Sequence, residues 1–212
     1  MRGAWPIAVR ELSSYFRQPA GWIIVALYLF LAGLVFATGI LVPGRVASLR
    51  DFFALSGWLL LPVAPAISMR LLAEELRSGT IENLLTAPLT SAAIVVGKYV
   101  GACLFLLAML APTLVYAIVL RSFSSPLPDF GPMVAGYLCL ALLGVLYLAI
   151  GIFASTLTPA PLRPLLGSIW LTSRVLDFSR GVIDTAHVVF FVSVSAWFVF
   201  LAVVSLEVRR WR

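Results

Sequence analysis

The sequence predicts an all-α fold, a polytopic integral membrane helix bundle, and three observations carry that prediction. Of 212 residues, 62% are apolar and only 11% are charged, with a mean hydropathy of +1.06. Soluble domains average about 45–50% apolar and about 25% charged, so this chain lacks the charge to cover a water-facing surface. Second, the apolar residues fall in runs of about 20 or more, the length that crosses roughly 30 Å of hydrocarbon. Third, the fifteen Lys and Arg behind the net charge of +6 are scattered between those runs. Such scatter suits membrane flanks and argues against a nucleic-acid partner. The same composition argues against a soluble enzyme or a disordered tail.

The elements follow in chain order. In residues 1–20, Trp5, Ala8/Val9, Leu12 and Tyr15/Phe16 recur at helical spacing, with Arg2, Arg10, Glu11 and Arg17 mostly off that stripe. This predicts an amphipathic interfacial helix that turns upward at Pro19-Ala20-Gly21; an unstructured basic leader is the alternative. No A-x-A site follows the first apolar run, so no cleaved signal is expected. Spans are expected at 22–42, closed by Pro43-Gly44, and at 52–72, where Pro62 and Pro65 would kink the helix. Further spans are expected at 92–120, at 132–157 with Pro132 at the helix start, and at 186–206. Residues 162–177 hold ten uncharged positions between Arg163 and Arg174, too few to cross a bilayer alone.

Lys and Arg near the span ends set the orientation. With six crossings and the N-terminus in the cytoplasm, ten lie inside and five outside; with five crossings the division is nine to six. Both place the N-terminus inside.

The connection at 73–91 is unlike the others. It holds three of the nine acidic residues, Glu74, Glu75 and Glu82. Arg70 with Glu74, and Glu74 with Arg77, pair at helical spacing along a continuation of the second span. Gly79 stands where a left-handed residue would stop that helix. Thr80 then caps a short helix with Glu82 in its first turn and Ile81, Leu84 and Leu85 on one side. Pro88 ends it, and Thr90 or Ser91 caps the next span. A short rigid helix set across two span ends is suited to take force from a soluble partner; an ordinary charged loop is the plainer alternative.

These residues resemble a known family. The run from Glu75 through Gly79-Thr-Ile-Glu82 to Pro88-Leu-Thr90 is similar to the first cytoplasmic loop of ABC-2 type transporter permeases, especially their gliding-motility-like branch. So are the opening Arg10-Glu11…Tyr15-Phe16…Pro19, the stretch Phe178–Thr185 with its Arg180-Gly181-Val-Ile-Asp184 motif in an external loop, and the end at Leu206–Arg212. The resemblance implies a six-span permease in the bacterial cytoplasmic (inner) membrane. It also implies a second permease chain, as homodimer or heterodimer, and two cytoplasmic ATP-binding subunits. In that family the loop after the second span is the coupling helix, which carries over here as Glu75, Gly79, Thr80, Glu82 and Pro88. The chain departs from the six-span pattern in its incomplete fifth span at 162–177, where a re-entrant or interfacial helix is the other option.

Weaker signals complete the picture. Gly97-Lys98-Tyr99 is no Walker A, lacking the upstream glycine and the Ser/Thr that hold phosphate and Mg²⁺, so ATP chemistry is expected on another chain. Gly97 and Gly101 are spaced to let a helix approach closely, within the chain or in a dimer. Lys98 is expected to snorkel to the cytoplasmic headgroups. Cys103 and Cys139 lie in apolar runs as packing residues, and His187 makes no metal site alone. No cofactor is expected. A permease subunit is the leading reading, a transport-inactive scaffold the second, and an intramembrane enzyme, for which no polar pair within a span is visible, the third.

Overall fold

A computed structural model describes residues 4–40, 48–78, 90–124, 129–157 and 185–210. Among them 96% are helical and none forms a strand, as the apolar runs require where no water can satisfy an open backbone. The elements are α1 (Ala4–Arg17), α2 (Pro19–Val35) running into a π-helical turn (Phe36–Ile40), and α3 (Arg50–Ser78). Then come α4 (Ser91–Leu110), a 3₁₀ turn (Ala111–Thr113), α5 (Leu114–Phe123), α6 (Phe130–Leu157) and α7 (Thr185–Arg210). Four stretches among the described residues are long and apolar enough to cross a membrane: Pro19–Ile40, Ser91–Phe123, Phe130–Ser155 and Val188–Val208. The Pro43-Gly44 stop, the segment at 162–177 and the motif of Arg180, Gly181 and Asp184 lie outside the described residues.

Local chemistry explains the boundaries. Gln18 breaks the helix between α1 and α2, and Pro19 opens α2 where its missing N–H costs nothing. The indole N–H of Trp22 donates to the Phe16 carbonyl at 2.8 Å, satisfying one of the acceptors left free at the end of α1. Gly21 is required there, because a Cβ would stand 2.0 Å from the Tyr15 carbonyl oxygen. At α3, the Ser48 hydroxyl accepts from the Arg50 N–H at 3.2 Å, and Asp51 in the first turn complements the helix dipole. Thr90, rather than Ser91, caps α4: its hydroxyl accepts from the Ala93 N–H at 3.2 Å. α3 stays helical through Pro62 and Pro65. The expected span at 92–120 falls within the single membrane-length stretch Ser91–Phe123, where Pro112 cannot donate to the turn before it and the chain tightens to 3₁₀ geometry over three residues.

α6 is the central helix. It packs most extensively on α3 and α7, and also on α4, and two-thirds of its most apolar stretch is buried. Glycines set how close its neighbours come: Phe53 of α3 lies over Gly136, and Leu106 of α4 over Gly144. Tyrosines tie the helices together through backbone carbonyls. Tyr99 of α4 donates to Val145 O of α6 at 3.0 Å, Tyr137 of α6 to Thr113 O at 2.6 Å, and Tyr116 of α5 to Leu29 O of α2 at 3.4 Å. Around Tyr116 and Tyr137 an aromatic cluster gathers the π-helical turn, α3, α5 and α6. Phe36 stacks on Tyr116 at 4.7 Å, and Phe53 meets Tyr137 edge-on at 5.1 Å. By contrast α2 and α7 turn much of their length outward, with Trp22, Ile23 and Phe30 on one and Val189, Trp197 and Phe200 on the other.

Filling the Phe53 seat tests this packing. A Cβ on Gly136 would fall 2.1 Å from the Phe53 ring, so Gly136→Val must displace it. The expected loss is about 1–3 kcal/mol, read as a lower Tm of the detergent-solubilised protein, with Gly131→Ala, which meets nothing within 4 Å, as the unaffected control.

Candidate coupling site

Two long helices, α3 and α4, flank the connection that the sequence singles out. Glu74, Glu75 and Arg77 fall in the last turns of α3, which is helical through Ser78. Gly79, Thr80, Glu82 and Pro88 lie outside the described residues. On the far side the chain re-enters at Thr90, the cap of α4.

α1 bridges the two helices. Along α4, Gly97, Gly101 and Phe105 stand one above another at successive turns. Each meets a successive part of α1. A Cβ on Gly97 would fall 2.7 Å from the Ala4 carbonyl oxygen and 2.8 Å from Ile7 Cβ. One on Gly101 would fall 2.8 Å from Glu11 Cβ and 2.9 Å from the Ala8 carbonyl oxygen. One turn on, Phe105 stacks on Tyr15 at 4.6 Å and takes Phe16 edge-on at 5.4 Å. α1 thus lies along α4 for three turns and in the same chain direction. The small-residue pair serves this contact within the chain.

An ion pair closes the seam. Lys98 Nζ stands 3.5 Å from Glu11 Oε2, with the two side chains 2% and 16% exposed. The expectation that Lys98 snorkels to headgroups therefore fails, because its ammonium is held inside the α1–α4 contact. Glu11 likewise belongs to the packed face of α1, with Ile7 and Ala8, whereas Trp5 and Val9 of the expected apolar stripe face outward. A lysine buried beside an apolar helix is costly unless paired; the carboxylate one packed helix away meets that cost. Removing one member of such a pair leaves a buried charge and costs about 3–5 kcal/mol in water-soluble proteins.

The end of α1 reaches the other helix. The Tyr15 hydroxyl donates to the Ile67 carbonyl of α3 at 3.1 Å. α1 is therefore joined to α4 by close packing and an ion pair, and to α3 by a hydrogen bond. Sequence reasoning passed over Glu11, Tyr15 and Lys98 as members of one site. The signal available was a lysine two turns inside an apolar run, which demands a partner, and one acid on the preceding amphipathic helix.

Tyr15→Phe separates the hydrogen bond from the ring stacking. Because a typical net hydrogen bond contributes about 0.5–1.5 kcal/mol, a stability loss in that range is expected by thermal unfolding, with the stacking on Phe105 kept. Tyr15→Ala, which removes both, is expected to cost distinctly more.

Comparison with known proteins agrees with this architecture. No curated protein sequence matches the chain. The family described as ABC-2 family transporter protein matches residues 5–173, a stretch that holds α1 to α6 and the α3–α4 connection. With well over half of its 212 residues matched, the chain belongs to the ABC-2 transporter family, as a multi-pass membrane component of a transport system that associates with ATP-binding subunits.

Proposed function

We propose that the protein is the membrane-spanning permease subunit of an ABC-2 type transporter of the gliding-motility-like branch. Separate cytoplasmic ATPase subunits supply the energy, and the stroke enters through residues 73–91. In this reading the N-terminus lies in the cytoplasm of a bacterium, and a second permease chain completes the translocation unit in the inner membrane. Glu75, Gly79, Thr80, Glu82 and Pro88 form the contact with the ATPase: Gly79 and Pro88 set the turns, while Glu82 supports the first turn of the short helix. Glu74 and Arg77 stiffen the last turns of α3 beneath it. Arg180, Gly181 and Asp184 shape the external loop before α7.

The observation that carries this reading is the bracing of α3 and α4 by α1. A connection anchored on two helices that are each fixed to a third element moves those helices when it is pushed. A free loop would absorb the displacement. One observation favours a second reading, a transport-inactive permease-like subunit of a larger complex: residues 162–177 offer too short an apolar stretch for a full fifth crossing.

Purification of the tagged chain from its host in mild detergent decides between them. The permease reading expects a stoichiometric P-loop ATPase whose hydrolysis depends on the chain. Gly79→Val and Glu82→Ala are each expected to lower that hydrolysis at least tenfold while helical content by circular dichroism stays unchanged. Wild-type coupling in both variants would refute the assignment of this connection. Recovery of other membrane proteins without an ATPase would support the scaffold reading.

A further inference from the structure

From the α1–α4 seam we infer that the Lys98–Glu11 ion pair is a positioning latch that makes the N-terminal helix part of the force-transmitting unit. The inference rests on the permease reading above and extends it to two residues outside the 73–91 connection.

Three observations converge on it. Lys98 sits seven residues after Ser91, so it is about 10 Å along the helix from the end of the connection. Its ammonium is withdrawn from solvent and held at 3.5 Å by a carboxylate on another element. Around the pair the backbones approach as closely as glycine allows, at Gly97 and Gly101. The seats at Gly97 and Gly101 and the stacking of Tyr15 on Phe105 align α1 with α4 by apolar contacts, which another apolar neighbour can replace. This ion pair has one register, since sliding by a single turn, about 5.4 Å, would carry the Glu11 carboxylate out of reach of the ammonium. The pair thus fixes where α1 sits along α4. Tyr15 on Ile67 O then fixes α1 against α3. Any shift of α4 relative to α3 is delivered to α1, and through the Gln18–Pro19 corner to α2.

The test uses the chain in lipid nanodiscs with its co-purified ATPase. Lys98→Met and Glu11→Gln remove one charge each with little change of shape, and Lys98→Arg keeps the charge. In both uncharged variants, amide hydrogen exchange in residues 4–17 is expected to rise at least tenfold, with α6 and α7 as protected as in the wild type. Permease-dependent ATP hydrolysis is expected to fall at least fivefold. Lys98→Arg is expected to restore both readouts. Unchanged exchange in α1 for both variants would overturn the latch, whatever the ATPase does. Loosened α1 with wild-type hydrolysis would also overturn it, leaving the pair a purely structural anchor. A wild-type chain that recovers no ATPase would refute the permease reading itself, and the transmission role with it, while the exchange arm still reports whether the pair holds α1.

Discussion

The arrangement of this protein depends on where a lysine places its charge. Lys98 lies inside an apolar helix, and its ammonium is buried. An uncompensated charge there would cost more than most single contacts return. Its carboxylate comes from Glu11, and Glu11 can reach it because Gly97 and Gly101 let α1 approach α4 almost backbone to backbone. Once α1 is fixed there, its end is fixed too, and with it the corner at Gln18 from which α2 departs. The position of the first apolar helix is thus tied to this seam at its start and to Tyr116 of α5 further along.

The rest of the bundle shows how helices associate where the hydrophobic effect offers little between them. Two devices recur. One is insertion of a large side chain over a glycine, as Phe53 does at Gly136 and Leu106 at Gly144. The other is a tyrosine hydroxyl donated to a carbonyl on another element: Tyr15 to Ile67, Tyr99 to Val145, Tyr116 to Leu29 and Tyr137 to Thr113. The carbonyls already serve their own helices, yet each keeps a second lone pair for an outside donor. Tyrosine suits this use because its ring satisfies the apolar contact while its hydroxyl finds a partner. These contacts place α6 in the middle and leave α2 and α7 with broad outward faces.

The all-α class and most apolar helices were legible in the sequence because span length and charge exclusion are one-dimensional properties. The cap at Thr90 was legible as one of two candidates because capping is local. The 3₁₀ turn at Pro112 was not legible, because the apolar run continues on both sides of it. α1 was half legible. Its helical period was clear, and Ala8, Leu12, Tyr15 and Phe16 of the expected stripe do pack inward, but the packed face also takes in Ile7 and Glu11 while Trp5 and Val9 face outward. That choice turns on a partner eighty-seven positions away, which no local pattern records. The same distance hid the candidate site: Glu74, Glu75 and Arg77 stood out by charge, whereas Glu11, Tyr15 and Lys98 became a group only when the fold brought them together.

This explains why a permease would place a buried charge pair in its first helix. Packing by shape alone in a membrane is soft, because lipid replaces a lost apolar contact at little cost. Ionic pairing is not soft in that way, since no lipid tail replaces a carboxylate. A helix that must follow its neighbour through a stroke, without slipping by a turn, is better held by one such pair than by added apolar area. The glycines on either side of Lys98 then have a second consequence. They bring the charged groups within reach of each other, so close approach and pairing come from the same four-residue spacing. Under the proposed coupling, a push on the connection between α3 and α4 would act on three helices at once, and the corner at Pro19 would pass the displacement to a fourth.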